Sequence, residues 1–201
     1  CAGVLLHVTS LPGPHGIGDF GPAAYRFVDW LESAGQGVWQ WLPSTPIGPG
    51  DSPYQGVSAM AGSPWMVALE PLVARGWLAP PSLPAEAFSA HRVEFGRVLP
   101  WRESQLRLAA AGFAARATQA DTQAFAAWCQ AQRAWLDDYA LFMAIRSPLG
   151  GQPWWSWPAP LARREPKAME KARIDQADEV RFWQFVQPGK VCLKIISTNL
   201  A

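Results

Sequence analysis

Near its start the chain reads GVLLHV over residues 3–8, a short apolar run that contains one histidine. The run leads into residues 9–14, whose Pro and Gly are typical of a turn. A continuous apolar run of this length predicts a strand buried on both faces, as in a parallel sheet. We expect His7, inside the run, to be a hydrogen-bonded core residue rather than a catalytic one.

A helix and a second strand are predicted next. Pro22 suits the first position of a helix, apolar residues then recur at helical spacing, and Gly35 suits the C-terminal end. VWQWL at residues 38–42 is again short, aromatic and apolar, and it ends at Pro43. Because strand, helix and strand in this order form the unit of α/β folds, we predict two parallel strands joined by a crossover helix.

The composition of the chain changes after residue 68. Ala, Gln, Arg and Glu become frequent up to residue 185 with no further clear strand, which predicts an inserted helical subdomain. Two helices are expected there, one beginning after a cap at Asp121 and one spanning residues 166–185. Residues 188–197 turn strand-like again. Since three strands do not close a barrel, the chain is either a small open α/β arrangement or, as we favour, a piece of a larger fold.

The charge balance and the apolar pattern exclude two kinds of partner. The 17 Lys and Arg nearly match the 16 Asp and Glu, so a net charge of +1 offers no basic surface for nucleic acid. Pro and Gly interrupt the longest uncharged stretches, which fall short of the roughly 18–20 residues of a membrane helix. We therefore expect neither nucleic acid nor a membrane as partner.

The cysteines and histidines predict neither a metal nor a cofactor. Three widely separated cysteines fit neither a disulfide framework nor a zinc site, and they favour a reducing compartment, the cytoplasm. The three histidines share no metal-binding spacing, and the glycines of residues 13–18 lack the pattern of a nucleotide-binding loop. His15, in that glycine-rich loop, is nevertheless placed to reach a ligand.

Tryptophan is unusually frequent, with 12 copies, and several lie beside Pro or Gly, as in QPWWSWP at residues 152–158. Aromatic rings in such irregular segments either stack on sugars or bases, or plug a loop by burying a large apolar area. On general grounds we favour the interpretation that these rings bury apolar area within loops. Stacking on sugars or bases stays an open alternative.

The strongest candidate site is the loop of residues 43–64, which follows the second predicted strand. Within five positions it carries Asp51, Ser52, Tyr54 and Gln55. An aromatic ring can stack on the apolar face of a pyranose while an acid, a hydroxyl and an amide hydrogen-bond its hydroxyl groups. The alternative is a rigid Pro-Gly turn with Tyr54 as its buried plug, and the residues alone do not separate the two interpretations.

Six stretches of the sequence resemble the amylomaltases, the bacterial 4-alpha-glucanotransferases. They are GVLLHVTSLPG (3–13), GIGDFG (16–21), WQWLP (39–43), DSPYQ (51–55), SAMAGSP (58–64) and WLDDYALF (135–142). The likeness covers about residues 1–187 and consists of long contiguous matches rather than one short motif.

The resemblance implies a (β/α)8 TIM-type barrel with helical insertions. Residues 1–68 are then the start of the catalytic barrel, with two strands, one helix and the sugar-binding loop, and residues 69–187 are a helical insertion subdomain. Residues 188–201 match nothing in the family, and we expect this atypical tail to come from a frameshift, a vector-derived end or a truncated gene.

The resemblance also implies an activity, the transfer of α-1,4-glucan segments between maltooligosaccharides with retention of configuration. Glucose and starch- or glycogen-type glucans are further partners. Retention requires two carboxyl groups about 5–5.5 Å apart. In the family the nucleophilic Asp, the acid–base Glu and a third Asp lie on later strands, so no catalytic residue is expected in this chain. Tyr54 is expected to contact the sugar beside the cleaved bond, with Asp51, Ser52 and Gln55 shaping its loop.

Three interpretations of the chain stay open. The first is an amino-terminal part of a glucanotransferase that is inactive alone. The second is a non-catalytic remnant that binds maltooligosaccharide through the Tyr54 loop and residues 154–157, and the third is a product without a ligand. Turnover separates the first from the others, and saturable binding separates the second from the third.

Overall fold

The computed structural model describes residues 2–188, which form two compact units. One contains the described residues up to Thr118 together with Gln187 and Pro188, and the other spans Gln119–Val186. The strand-like tail predicted for residues 188–197 falls, apart from Pro188, outside the described residues. The inserted subdomain expected at residues 69–187 stays a prediction, because the two compact units do not test whether those residues are an insertion.

The first unit contains the parallel strand pair that the sequence predicts. Strand β1 (Gly3–Leu5) lies beside β2 (Val38–Gln40), and Val4 is paired with Trp39. The main-chain N–H of Leu6 extends the ladder by donating to the Gln40 carbonyl oxygen at 2.9 Å. The strands are shorter than the apolar runs from which they were predicted.

The prediction that the first strand is buried on both faces is wrong for the described residues. Leu5 is 60% exposed, and Val38 on the neighbouring strand is also exposed. Within residues 2–188 the sheet has two strands, and burial follows the side on which the crossover helix packs. A continuous apolar run predicts a strand with two covered faces. It does not show whether the elements that would cover both faces are present.

Helix α1 (Pro22–Ser33) is the predicted crossover helix, and its ends are confirmed. Pro22 starts it, where a missing N–H costs nothing, and Gly35 follows it with φ of 67°, a conformation that favours glycine. Its apolar stripe forms the core of this unit with the two strands and the segments after them, comprising Val8, Leu11, Phe20, Ala24, Val28, Leu31, Trp39 and Met66. Full burial of one such large apolar side chain stabilises the fold by about 1.5–3 kcal/mol.

The described part of the first unit contains two further helices. Helix α2 (Glu70–Ala74) is short, and α3 (Phe95–Arg116) is a long helix that includes Pro100. Single 3-10 turns lie at Val8–Ser10, Pro49–Asp51 and Pro64–Met66. The buried face of α3 consists of Val98, Arg102, Leu106, Ala109 and Gly112, so it includes one arginine in an otherwise apolar stripe.

The second unit is helical, as the sequence predicts, and the described part of residues 69–185 contains no strand. Its helices are α4 (Gln119–Arg146), α5 (Ala159–Ala162), α6 (Pro166–Asp175) and α7 (Ala177–Phe185), with a 3-10 turn at Trp154–Ser156. A core of Leu141, Ile145, Trp157, Met169 and Ala172 joins α4 to α6.

Two helix predictions in this unit are wrong in detail. The helix expected over residues 166–185 is two helices, because Gln176 leaves the helical conformation with φ of −111° and ψ of 23°. The long helix starts at Gln119, so Asp121 lies in its first turn instead of capping it. An acid there still suits the positive end of the helix dipole. Within residues 2–188 no helix combines the length and apolar character that crossing a bilayer requires.

Candidate functional site

The loop of residues 43–64, here called the substrate loop, leaves the carboxyl end of β2. A 3-10 turn at Pro49–Asp51 reverses its direction, and Asp51 has φ of 57°, which is uncommon for a residue with a side chain. Left-handed backbone at such a residue costs about 1–3 kcal/mol and persists only where the surroundings hold it. Asp51 and Gly50, with φ of 81°, thus place two successive left-handed residues in this turn.

Hydrogen bonds tie the two limbs of the substrate loop together. The N–H of Val57 donates to the Pro46 carbonyl oxygen at 3.0 Å, and the N–H of Ser63 donates to the Ser44 carbonyl oxygen at 2.8 Å. The limbs approach so closely that a Cβ atom on Gly48 would collide with the carbonyl oxygen of Gln55. Glycine is required here because the backbone of the opposite limb occupies the side-chain space.

Tyr54 lies at the outer turn of the substrate loop and is 72% exposed. Its N–H donates to the Ser52 hydroxyl oxygen at 3.3 Å, and the N–H of Gln55 donates to the Ser52 carbonyl oxygen at 3.2 Å. The ring is therefore held at its base and open to solvent on its face. This exposure contradicts the interpretation of Tyr54 as a buried plug.

The structure gathers the four predicted sugar-binding residues in one turn but gives them different surroundings. Asp51 and Gln55 are exposed like Tyr54, so all three side chains can reach a ligand. Ser52 is half-buried, and its hydroxyl oxygen is an acceptor within the turn. The arrangement can present an apolar ring, a carboxylate and an amide to a sugar, with Ser52 as a shaping residue.

The returning limb of the substrate loop is fixed at its end by a residue that is distant in sequence. The side chain of Gln187 is 1% exposed and forms two hydrogen bonds with the main chain of Gly62. No local pattern in the sequence marks Gln187, because its partner lies 125 positions away. Sequence reasoning missed it for this reason.

A second cluster of polar side chains is buried between the loop after β1 and helix α3. Nη2 of Arg102 donates to Oδ2 of Asp19 at 3.0 Å and also to the Val67 carbonyl oxygen. The other carboxylate oxygen of Asp19 accepts the N–H of Gly21 at 3.0 Å. His15 and Glu70 lie beside Asp19. Arg102 and Glu70 were also missed, although an arginine within an apolar helical stripe is a signal of a buried ion pair.

Burial and the neighbouring charges act in opposite directions on the pKa values in this cluster. Burial raises the pKa of Asp19, while the Arg102 guanidinium opposes that rise. Burial and the positive charge of Arg102 lower the pKa of His15, while the carboxylates of Glu70 and Asp19 oppose that fall. His15 is therefore predominantly neutral at pH 7 and available as a hydrogen-bonding group.

The buried cluster does not have the chemistry of a cation site. One ligand atom each from His15, Asp19 and Glu70 lies within 4.8 Å of the others, which is close enough to share an ion. The Arg102 guanidinium, however, already occupies Oδ2 of Asp19 and places a positive charge there. Because a cation would be repelled by that charge, we interpret the cluster as a structural clamp.

His7 and the tryptophans of residues 154–157 each depart in part from what the sequence predicts. Burial lowers the pKa of His7, which is half-buried, and its Nδ1 forms no hydrogen bond with the described residues, so the predicted hydrogen bond is absent at that atom. In the 154–157 segment Trp154 and Trp155 are exposed, whereas Trp157 is buried and donates from Nε1 to the Gln152 carbonyl oxygen at 3.1 Å. Within residues 154–157 the plug interpretation thus holds for Trp157 and not for Trp154 or Trp155.

Comparison with known proteins gives one consistent result. The family described as 4-alpha-glucanotransferase matches residues 6–189. The 4-alpha-glucanotransferase of Thermus thermophilus is 45% identical over 185 residues, 92% of this chain and 36% of that protein. The enzyme of the same name from Synechocystis is 44% identical over 189 residues, 93% of this chain and 37% of that protein.

A solved structure agrees with these sequence relatives. The amylomaltase from Streptococcus agalactiae in complex with acarbose superposes with a TM-score of 0.86 at 30% identity. The match covers 99% of this chain and 40% of that one. The chain therefore spans little more than a third of the length of the relatives it matches.

Proposed function

The chain belongs to the 4-alpha-glucanotransferase family, and from this membership we propose that it forms the amino-terminal part of an enzyme that transfers α-1,4-glucan segments between maltooligosaccharides. The observation that carries the proposal is the family match over residues 6–189. The reaction proceeds with retention, so it needs a nucleophilic and an acid–base carboxyl group about 5–5.5 Å apart. We place both groups in the part of such an enzyme that this chain does not span.

In this proposal β1, α1 and β2 are the first strand–helix–strand unit of a (β/α)8 barrel. Active sites of such barrels lie at the carboxyl ends of the strands, in the loops that follow them. The substrate loop leaves the carboxyl end of β2, and the glycine-rich loop with His15 follows β1. The parallel pairing and the superposition on an amylomaltase support this placement.

Tyr54 is the residue of this chain that we expect to touch the sugar. Its ring is exposed, and its main chain is held by Ser52, so stacking on a pyranose requires little further ordering of the loop. Asp51 and Gln55 add hydrogen-bonding groups on the same turn. The amylomaltase on which this chain superposes was solved with acarbose, which supports a carbohydrate as the ligand.

The proposed partners are maltooligosaccharides, glucose and starch- or glycogen-type glucans, in the cytoplasm and without a cofactor. The three widely separated cysteines favour a reducing compartment. No cofactor is proposed, because a retaining transfer uses two carboxyl groups.

The proposal is tested by incubating two proteins with maltotriose and separating the products by chromatography. One is the 201-residue chain, and the other is the product of a gene extended to the length of the family. We expect glucose and longer maltooligosaccharides from the extended protein and none from the chain alone. Products from the chain alone would contradict the placement of the catalytic carboxyl groups, and Asp19 and Asp51 would then require attention.

A second candidate function, maltooligosaccharide binding without catalysis, is favoured by the exposed aromatic rings. Tyr54 in the first unit and Trp154 and Trp155 in the second present open ring faces, and such faces stack on sugars. Isothermal titration of the chain with maltoheptaose tests this function. Saturable binding together with an inactive extended protein would favour it over transfer.

A further inference from the structure

The contact between Gln187 and Gly62 uses both ends of a buried side-chain amide. Oε1 of Gln187 accepts the N–H of Gly62 at 2.9 Å, and Nε2 donates to the Gly62 carbonyl oxygen at 3.2 Å. The side chain is 1% exposed, so water does not compete for these bonds. A single side chain thus satisfies both main-chain polar groups of one residue.

Gly62 depends on this contact because its surroundings are buried. Ala61 and Ser63 on either side of it are buried, and Gly62 itself is buried. A buried main-chain group without a partner costs about 1–3 kcal/mol. A side-chain amide carries a neutral donor and a neutral acceptor on one planar group, and Gln reaches further from the backbone than Asn.

The position of Gly62 is transmitted to Tyr54 through the hydrogen bonds of the substrate loop. Beside Gly62, the N–H of Ser63 is bonded to the Ser44 carbonyl oxygen on the outgoing limb. Before it, the Ser58 hydroxyl oxygen accepts the N–H groups of Met60 and Ala61 at 3.2 and 3.1 Å. These hydrogen bonds therefore connect the returning limb to the segment that is bonded to Gln187.

The remaining links connect that limb to the outer turn. Val57 is bonded to Pro46 across the loop. Gln55 and Tyr54 are both bonded to Ser52. Hydrogen bonds therefore link the segment of Gly62 to the turn that carries Tyr54.

We propose that Gln187 is a positioning residue of the substrate loop, which sets the placement of Tyr54 against the sugar by holding the main chain of Gly62. This inference rests on the proposed function of the loop in glucan transfer. Gln187 acts through the loop and does not touch the sugar, so its loss should weaken substrate binding more than it slows the chemical step.

The test uses the protein extended to the length of the family. Gln187→Met keeps the length of the side chain and removes both hydrogen bonds. Gln184→Met is the matched control, because Gln184 lies three positions earlier and its side chain reaches Asp137 instead of the loop. We expect Gln187→Met to raise the KM for maltotriose about tenfold with kcat within about twofold of the unchanged protein, and Gln184→Met to change neither.

A double-mutant cycle separates positioning from general destabilisation. If Gln187 acts through Tyr54, the KM effects of Gln187→Met and Tyr54→Ala should be non-additive, with the double variant close to Tyr54→Ala alone. Hydrogen exchange of residues 57–63 should also be faster in Gln187→Met than in the control.

The outcomes distinguish this inference from the function on which it rests. An extended protein without any transfer activity overturns the proposed function and this inference with it. An active protein in which Gln187→Met leaves the KM at the control value overturns this inference alone. Additive KM effects, or unchanged exchange of residues 57–63, also overturn it.

Discussion

Arg102 and Asp19 form a buried ion pair in which Nη2 of the arginine lies 3.0 Å from Oδ2 of the aspartate. The pair connects helix α3 to the loop after β1, and the arginine also binds the Val67 carbonyl oxygen. One guanidinium thus joins the loop after β1 to the segment that follows the 3-10 turn at Pro64–Met66. Asp19 compensates the charge of Arg102, and the Gly21 N–H occupies the remaining oxygen of Asp19.

Removing Arg102 should destabilise the first unit strongly. Arg102→Met leaves the buried Asp19 carboxylate without its counter-charge, and breaking a buried pair in this way costs about 3–5 kcal/mol. Urea unfolding of the chain, followed by tryptophan fluorescence, measures the loss. Arg92→Met is the control, because the Arg92 side chain is 79% exposed, and it should change the free energy of unfolding by less than about 0.5 kcal/mol. Equal effects of the two substitutions would refute the structural clamp.

Acidification should destabilise the fold through His7 and His15. Burial lowers the pKa of His7 and of His15 below the ordinary value of 6.5. The unfolded chain therefore binds protons more readily, and the stability contributed by neutral histidine is present above pH 6.5 and lost as the pH falls through the folded pKa. Urea midpoints at pH 7.5 and pH 5 measure this loss.

Histidine variants isolate that effect from the other titrating groups. Asp19 acts in the opposite direction, because its raised pKa lets the folded chain hold a proton as the pH falls. His7→Asn and His15→Asn should each reduce the loss of stability between pH 7.5 and pH 5, whereas His91→Asn, at an exposed position, should not. The same pH dependence in all three variants and the unchanged chain would argue against this origin.

Loss of the Tyr54 ring should weaken glucan binding and leave the fold intact. The ring is mostly exposed, so Tyr54→Ala removes little packing. Aromatic stacking is worth about 0.5–1.5 kcal/mol, which corresponds to a KM for maltotriose raised by up to about tenfold in the extended protein. Tyr54→Phe keeps the ring and should stay close to the unchanged KM. Transfer kinetics unaffected by Tyr54→Ala would remove this residue from the site.

Gly48→Ala should displace the substrate loop. A Cβ atom at this position meets the Gln55 carbonyl oxygen, and that backbone cannot move without separating the two limbs. We expect faster proteolysis within the loop and a higher KM in the extended protein. Gly96→Ala, at the second residue of helix α3 where a Cβ has open space, should leave the substrate loop unchanged and the chain at least as stable. A loop equally resistant to protease in both variants would contradict the close approach.

The sequence predicts those features whose causes are local. Pro22 and Gly35 mark the ends of α1 because each acts on its own backbone, and the parallel pairing follows from two apolar runs around one helix. Gln176 breaks a helix without any Pro or Gly, so composition gave no warning of the break. The exposure of Leu5 depends on what covers a strand, which no short window of sequence contains.

In the candidate site, too, the sequence predicts the features with local causes and misses those with long-range causes. The residue types around Tyr54 predict sugar contacts, since ring, acid and amide lie within one turn of chain. The partners that hold the site in place are 83 and 125 positions apart in the pairs Asp19–Arg102 and Gly62–Gln187. Long-range pairs of this kind appear only once the chain is folded.

The apolar surface formed by Leu5 and Val38 on the two-stranded sheet also bears on how the chain is handled as a separate polypeptide. Within residues 2–188, each strand has one edge with no partner strand, and such edges template the addition of further strands. Alone in concentrated solution, the chain is therefore expected to self-associate. Each of these edges is where a further strand would pair if the sheet continued.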